Sequence, residues 1–303
     1  MANLKELRGR IKSVGSISQI TRAMEMLATM KLRKVQAKAL TFFPYAQEMR
    51  TRMERLAAKV GAESGLPWFR TDPPKTTGVL LITSDRGLCG SYNTNLMKAL
   101  RDLQAEVLEK DPGRQFKFWC YGRKGYIWLT RRGYTVERFF VEPPLDKLDF
   151  GAAKMVAEAL GQAFLDHTVD NVRIYYSQFK SMIRFEATNE RYLPVMNRDF
   201  VTVAQNAEQQ AAADQLPDTD FLMEPDATTL FGALIPRYLE TMVFGAMLQG
   251  LASEHASRRM AMKSATDAAV RMIKGLKKVY NRARQENITK ELLDIIGGAS
   301  AVS

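Results

Sequence analysis

The feature that most constrains this chain is a mostly apolar stripe that runs through its C-terminal third. Stepping alternately by four and three from Leu230 gives Leu230, Leu234, Arg237, Thr241, Phe244, Leu248, Leu251, His255, Arg258, Met262, Ala265, Ala269, Met272, Leu276, Val279 and Ala283. Twelve of these sixteen are apolar, and from Met262 onward all are. A period between 3.5 and 3.6 is that of an α-helix with one buried seam. Pro236 falls near the start, where a helix tolerates it best. A helix over 228–296 would be about 100 Å long at 1.5 Å per residue. No small globular core stabilises so long a helix, so it needs a partner along its length.

The N-terminus offers one. Residues 2–40 hold no proline and only two glycines. Leu4, Leu7, Ile11, Val14, Ile17, Ile20, Met24 and Leu27 follow at spacings of three and four, with a local slip near Val14–Ile20 of the kind a stammer gives. Pro44 is expected to interrupt this helix, with a second helical stretch over 45–60. Two seamed helices at opposite ends of one chain predict an antiparallel coiled coil, its close approach helped by Ala265, Ala269 and Ala283. That each stripe packs singly on a central domain is the alternative.

Between the ends, strand and helix signals alternate. Strands are expected at 78–83, 116–121, 135–141, 172–179 and 187–194, with helices at 93–110, 124–132 and 148–166. This alternation argues a central α/β sheet domain. The predicted layout is an N-terminal coiled-coil helix (1–60), a central α/β domain (75–200), a polar Gln- and Ala-rich linker (201–226) and a C-terminal coiled-coil helix (227–303).

Charge sharpens the picture. The net charge is +11. Residues 1–60 hold 13 Lys/Arg against 4 Asp/Glu, residues 251–303 hold 10 against 5, and the stretch between holds 21 against 24. The basic excess sits on the two ends, which predicts an acidic partner for the helix pair. No apolar run approaches the ~18 residues of a membrane span. The charged start MANLKELRGR shows no signal peptide.

Chemistry is sparse. Cys89 and Cys120 stand far apart, and His167 and His255 are the only histidines. A zinc site or a Ser-His-Asp triad lacks its raw material. There is no GxxxxGK[ST] and no GxGxxG after a strand. Asp85–Gly90 (DRGLCG) follows a strand and precedes a helix, where a phosphate could rest on helix N–H groups. Its spacing fits neither nucleotide fingerprint, and a tight structural turn is the preferred reading. The expectation is therefore no enzyme active site and no cofactor. A basic coiled-coil adaptor for nucleic acid or another acidic partner is the alternative, though no recognition motif is present. A small α/β enzyme with helical arms is a third.

Three segments carry a resemblance: SISQITRAMEMLATMKLRK (16–34), TSDRGLCGSYNTNL (83–96), and Glu254–Ala283 onward with AMKSATDAA and VYNRARQENITKELLDIIGGASAV. In order and spacing they resemble the gamma subunits of F-type ATP synthases, the central-stalk rotor, of bacterial type. The resemblance implies an antiparallel two-helix coiled coil over a Rossmann-like α/β domain that binds no dinucleotide. It implies a coupling subunit without catalysis of its own, standing in a ring of alpha and beta subunits, with the epsilon subunit and the membrane c-ring at its foot and no nucleic acid. The ring's acidic loops would suit the basic ends. It implies peripheral association with the cytoplasmic face of a bacterial membrane, and, with no paired cysteines in the middle, no thiol regulation. By resemblance, Arg284, Gln285 and Thr289 match positions that meet the beta-subunit catch loop, Met24 matches a position beside it, and Glu254 and Arg258 match coupling-sensitive positions. Read on their own, Met24 is a seam residue, and Arg284 and Gln285 lie on a solvated face. The mostly apolar or small end, Leu292 to Val302, suits a tip turning in an apolar sleeve.

Overall fold

The computed structural model describes residues 4–60, 65–70, 73–195, 224 and 226–300. Two long helices, α1 (Leu4–Val60) and α5 (Ala227–Ser300), enclose in sequence a five-stranded α/β region. The strands are β1 (Thr76–Ile82), β2 (Gln115–Tyr121), β3 (Val136–Phe140), β4 (Asn171–Phe179) and β5 (Phe185–Leu193). Between them come α2 (Tyr92–Lys110), α3 (Arg123–Thr130) and α4 (Phe150–Leu165). The expected linker lies, but for Glu224 and Asp226, outside the described residues.

The residues fall into two compact units. The first comprises α1 up to Met30 and α5 from Arg258; the second is Lys31–Ser257.

The second unit is built on a sheet of order β3-β2-β1-β4-β5. The first four strands are parallel, and β5 returns antiparallel beside β4. Because side chains alternate across a strand, the central strands feed two cores. Leu80, Ile82, Trp119, Tyr121, Ile174 and Tyr176 face one layer, where they meet Leu32, Met53 and Leu56 of α1, Val156, Leu160 and Phe164 of α4, and Phe231, Val243 and Leu251 of α5. Val79, Leu81, Phe118, Cys120 and Tyr175 face the other, under Leu96 and Leu100 of α2 and Leu129 of α3. Helices on both faces of a mostly parallel sheet make this a Rossmann-like layered domain, as expected.

Pro44 does not interrupt α1, which continues through it. A proline inside a helix removes one backbone donor and crowds the preceding turn, at about 3 kcal/mol. Burial on both sides of it offsets that. Phe42 packs edge-on against Phe244 with ring centroids 4.8 Å apart, and Met53 and Leu56 are buried beyond it.

The first unit is an antiparallel helix pair. The Thr21 and Thr266 hydroxyls share a hydrogen bond of 2.7 Å. Thirteen residues earlier in α1 and fourteen later in α5, Arg8 Nη2 donates to the Tyr280 hydroxyl at 2.9 Å. One index rises as the other falls, which fixes direction and register.

The seam itself differs from expectation. On α1 the residues turned inward are Leu4, Leu7, Ile11, Val14, Ser18, Thr21, Glu25 and Ala28, an unbroken alternation of three and four. Ile17, Ile20 and Leu27 are each more than half exposed. The stammer is therefore absent: the heptad continues through polar and small residues, and the apolar ones leave the seam. On α5 the rows through Met262, Ala269, Leu276 and Ala283 are as expected, but the intervening row is Thr266, Ile273 and Tyr280. Met272 and Val279 face outward, each also more than half exposed.

Candidate functional site

Three places could carry function: the loop at the carboxyl end of β1, the buried stretch of α5, and the helix pair.

In open α/β sheets the crevice beyond the strand ends is where ligands settle. Here β1 is followed by Thr83-Ser84-Asp85, and the turn is braced by its own side chains. Asn93 Nδ2 donates to Ser84 Oγ at 2.7 Å and to Cys89 Sγ at 3.3 Å, while Asn93 Oδ1 accepts from Ser84 N. Leu88 and Gly90 both adopt positive φ to make the turn. At the start of α3, the backbone N–H of Arg123 donates to Asp85 Oδ1 at 3.0 Å. A helix N-terminus attracts an anion, and the anion supplied is that carboxylate. Gly122, at φ 105°, lets the two loops touch: a Cβ there would stand 2.1 Å from the Thr83 carbonyl oxygen. The arrangement is a braced turn, with the Asp85 carboxylate at the start of α3 rather than of α2. Burial pushes the Cys120 thiol well above its ordinary range, which leaves it a poor nucleophile.

In the second unit, α5 is buried on every side over Leu251–Ser257. A helix enclosed all round cannot show an amphipathic stripe. Its small residues, Ala252, Ser253, Ala256 and Ser257, allow close approach, and its polar atoms are hydrogen-bonded. Ser253 Oγ donates to the Ser177 carbonyl at 2.9 Å, and Ser257 Oγ to the Cys89 carbonyl at 2.6 Å. One turn earlier, Gln249 Oε1 accepts from Phe179 N at 3.0 Å. His255 Nε2 lies 3.1 Å from Asp146 Oδ1. Together these stitch the helix to the loop between β1 and α2, to β4 and to the turn before α4. The His255 hydrogen bond first, then Lys31, hold the Asp146 carboxyl far below the usual carboxylate range, against the opposing effect of partial burial. Sequence reading missed this collar. The available signal was the run of small residues in LASEHAS, which breaks the polar outer face expected of a surface helix.

The residues singled out by resemblance divide between the units. Glu254 lies in the collar and is buried. Arg258 is half-buried and opens the helix-pair stretch of α5. Met24 is half-buried at the edge of the seam. Ile17, Ile20 and Leu27 lie on its face of α1, and they form an apolar strip open to solvent. Arg284, Gln285 and Thr289 are exposed and share one side of α5. These positions do not form one patch. By the Thr21–Thr266 register, Met24 stands level with about residue 263, some 20 residues or about 30 Å along the axis from Arg284. In the same register Leu4, the first α1 residue described, stands opposite about Ala283, and α5 continues beyond it to Ser300. Ile288, Leu292, Leu293, Ile295 and Ile296 are exposed on that last stretch.

Among the described residues, no helix is long and apolar enough to cross a membrane. No three His, Cys, Asp or Glu among them gather as metal ligands would.

Known proteins share this architecture. The family model described as ATP synthase matches residues 3–302. The chain is 37% identical to the ATP synthase gamma chain of Chloroherpeton thalassium, covering 100% of this chain and 99% of the relative. It is 38% identical to that of Mycobacterium marinum, covering 100% and 98%. Among solved structures, the fold is similar to a chain of the Euglena gracilis mitochondrial ATP synthase rotor, at TM-score 0.65 and 18% identity over 94% of this chain and 98% of that one. A chain of the Tetrahymena thermophila mitochondrial ATP synthase central stalk and c-ring matches at TM-score 0.55 and 23% identity, over 81% and 99%. With end-to-end coverage by the family model and by relatives 37% and 38% identical, and with an antiparallel pair of terminal helices beside a layered sheet, the chain belongs to the ATP synthase gamma-chain family.

Proposed function

We infer that this chain is the rotor of an F-type ATP synthase, a coupling subunit that catalyses no step itself. Its helix pair turns inside the ring of alpha and beta subunits, and its sheet domain rides with the epsilon subunit on the membrane c-ring. Proton flow through that ring turns the pair, and the pair's uneven surface drives each catalytic site through its binding states. The working place is peripheral, at the cytoplasmic face of a bacterial cell membrane.

The observation that carries this reading is mechanical. Helix α5 is one continuous element of 74 residues, paired with α1 over one part and hydrogen-bonded to the sheet domain over another. A proton crossing ~150–200 mV delivers about 3.5–4.6 kcal/mol. A few protons per step would load the shaft with on the order of 10–15 kcal/mol, several times the worth of any single contact in it. Only a continuous, laterally supported element bears that without melting locally. The basic excess of both ends suits an acidic ring. Within this reading the exposed strip Ile17, Ile20 and Leu27, with Met24, faces the ring partway up. Arg284, Gln285 and Thr289 meet the beta-subunit catch loop nearer the tip, and Glu254 and Arg258 serve where α5 leaves the collar.

The test is reconstitution with the alpha, beta, epsilon and membrane subunits. The complex should hydrolyse ATP and pump protons, while the isolated chain does neither. Met24→Lys places a cation on the strip and should lower ATP-driven pumping more than hydrolysis. Equal loss of both removes Met24 from coupling. Hydrolysis by the isolated chain, or tight salt-sensitive DNA binding, would overturn the rotor reading itself.

A further inference from the structure

The short turn Leu145–Lys147 that precedes α4 does more than connect β3 to the next helix. Leu145 and Leu148 are buried in the main core, and Asp149 caps α4 by accepting from Ala152 N at 2.8 Å. The turn is thus fixed from within. Between these anchors Asp146 presents its two carboxylate oxygens to two different helices. Oδ1 meets His255 Nε2 of α5. Oδ2 accepts from Lys31 Nζ of α1. Two residues on, the Leu148 carbonyl accepts from Lys38 Nζ, also of α1, and that ammonium lies 5.4 Å from the Phe244 ring centroid of α5.

Lys31 and His255 are not arbitrary points on their helices. Lys31 is the first α1 residue of the second unit, and His255 lies two residues before its end in α5. The apolar cores resist separation of the helices from the sheet, but the hydrophobic effect that drives their burial is non-directional. A carboxylate shared between two donors is directional and opposes sliding and twisting.

We propose that Asp146 is a positioning residue for coupling, a clasp that locks α1 and α5 to the sheet domain against twist where the two helices leave it. The proposal rests on the rotor reading: the sheet domain receives torque from the membrane ring, and both helices must take it up together. Without the clasp, α1 and α5 yield separately under load. Hydrolysis continues at the ring, while less of each step reaches the protons.

The experiment uses the full complex in vesicles, with ATP hydrolysis and ATP-driven proton pumping measured together against a membrane potential. Asp146→Asn and Lys31→Met should each lower the ratio of pumping to hydrolysis about two- to fivefold, the range expected when one partly exposed ion pair is lost. Lys31 is half-exposed, so Lys31→Met leaves the core intact should Asp146→Asn fold poorly. Lys31→Arg keeps the pair and should keep the ratio. The double variant Asp146→Asn with Lys31→Met should be no worse than Asp146→Asn alone, because the shared bond is already gone. An unchanged ratio in both single variants, or Lys31→Arg as impaired as Lys31→Met, overturns the clasp. Failure of the unmutated complex to pump would count against the rotor reading instead.

Discussion

Leu27 and its neighbour Ala28 decide between the two possible phases of the helix pair. If the seam followed the apolar residues, Leu27 would be a core leucine, and Leu27→Ala would cost about 2–5 kcal/mol. In the structure Leu27 is 57% exposed and Ala28 only 2%. A little under half of a leucine's burial, at ~1.5–3 kcal/mol for a whole one, comes to about 0.6–1.3 kcal/mol, with a slight return from alanine's better helix propensity. Ala28→Leu does the opposite of what its apolarity implies. It adds three carbons at a position already buried, and overpacking of this kind costs about 1–3 kcal/mol. Native-state amide exchange reads both, since protection of the helix-pair amides reports the free energy of opening that unit without unfolding the sheet. The order expected is Ala28→Leu the more damaging. A larger loss for Leu27→Ala than for Ala28→Leu would refute the phase and restore the apolar seam.

Gly122→Ala should destabilise the sheet domain by about 3 kcal/mol or more, because its Cβ meets backbone and its φ is positive. Gly133→Ala, at φ 76° with open space around it, should lose only about 1 kcal/mol, and denaturant unfolding distinguishes the two. The Asp146 carboxyl titrates below its unfolded value, so its contribution is present above the unfolded carboxylate pKa of about 4 and lost as pH falls below it. The thermal stability gap between wild type and Asp146→Asn should therefore be widest near neutral pH and close in strong acid; a gap independent of pH would show that the charge does not matter.

What could be read in the sequence follows from which signals are periodic. The strands of the sheet announce themselves because burial on both faces demands short runs such as GVLLIT, bounded by turns. The length of α5 shows because its three- and four-residue spacing keeps step over more than fifty residues and no proline follows Pro236. The phase of the helix pair does not show, and the reason is specific to this kind of chain. Sequence periodicity finds the face with the most apolar side chains, on the assumption that water is what that face avoids. On α1 those side chains, Ile17, Ile20 and Leu27, lie outside the pair, and the inward positions Ser18, Thr21 and Ala28 are small enough to let two backbones approach. That inversion is expected of a shaft enclosed in a second protein layer: the outer surface meets a partner, and the inner one needs fit more than hydrophobicity. The clasp was invisible for a different reason. Lys31, Asp146 and His255 are 115 and 109 positions apart in sequence, and no local pattern couples a lone histidine to a turn at that distance. It follows that apolar residues which break the heptad of a long helix pair mark where the pair is covered, and polar ones which keep it mark where the pair is closed.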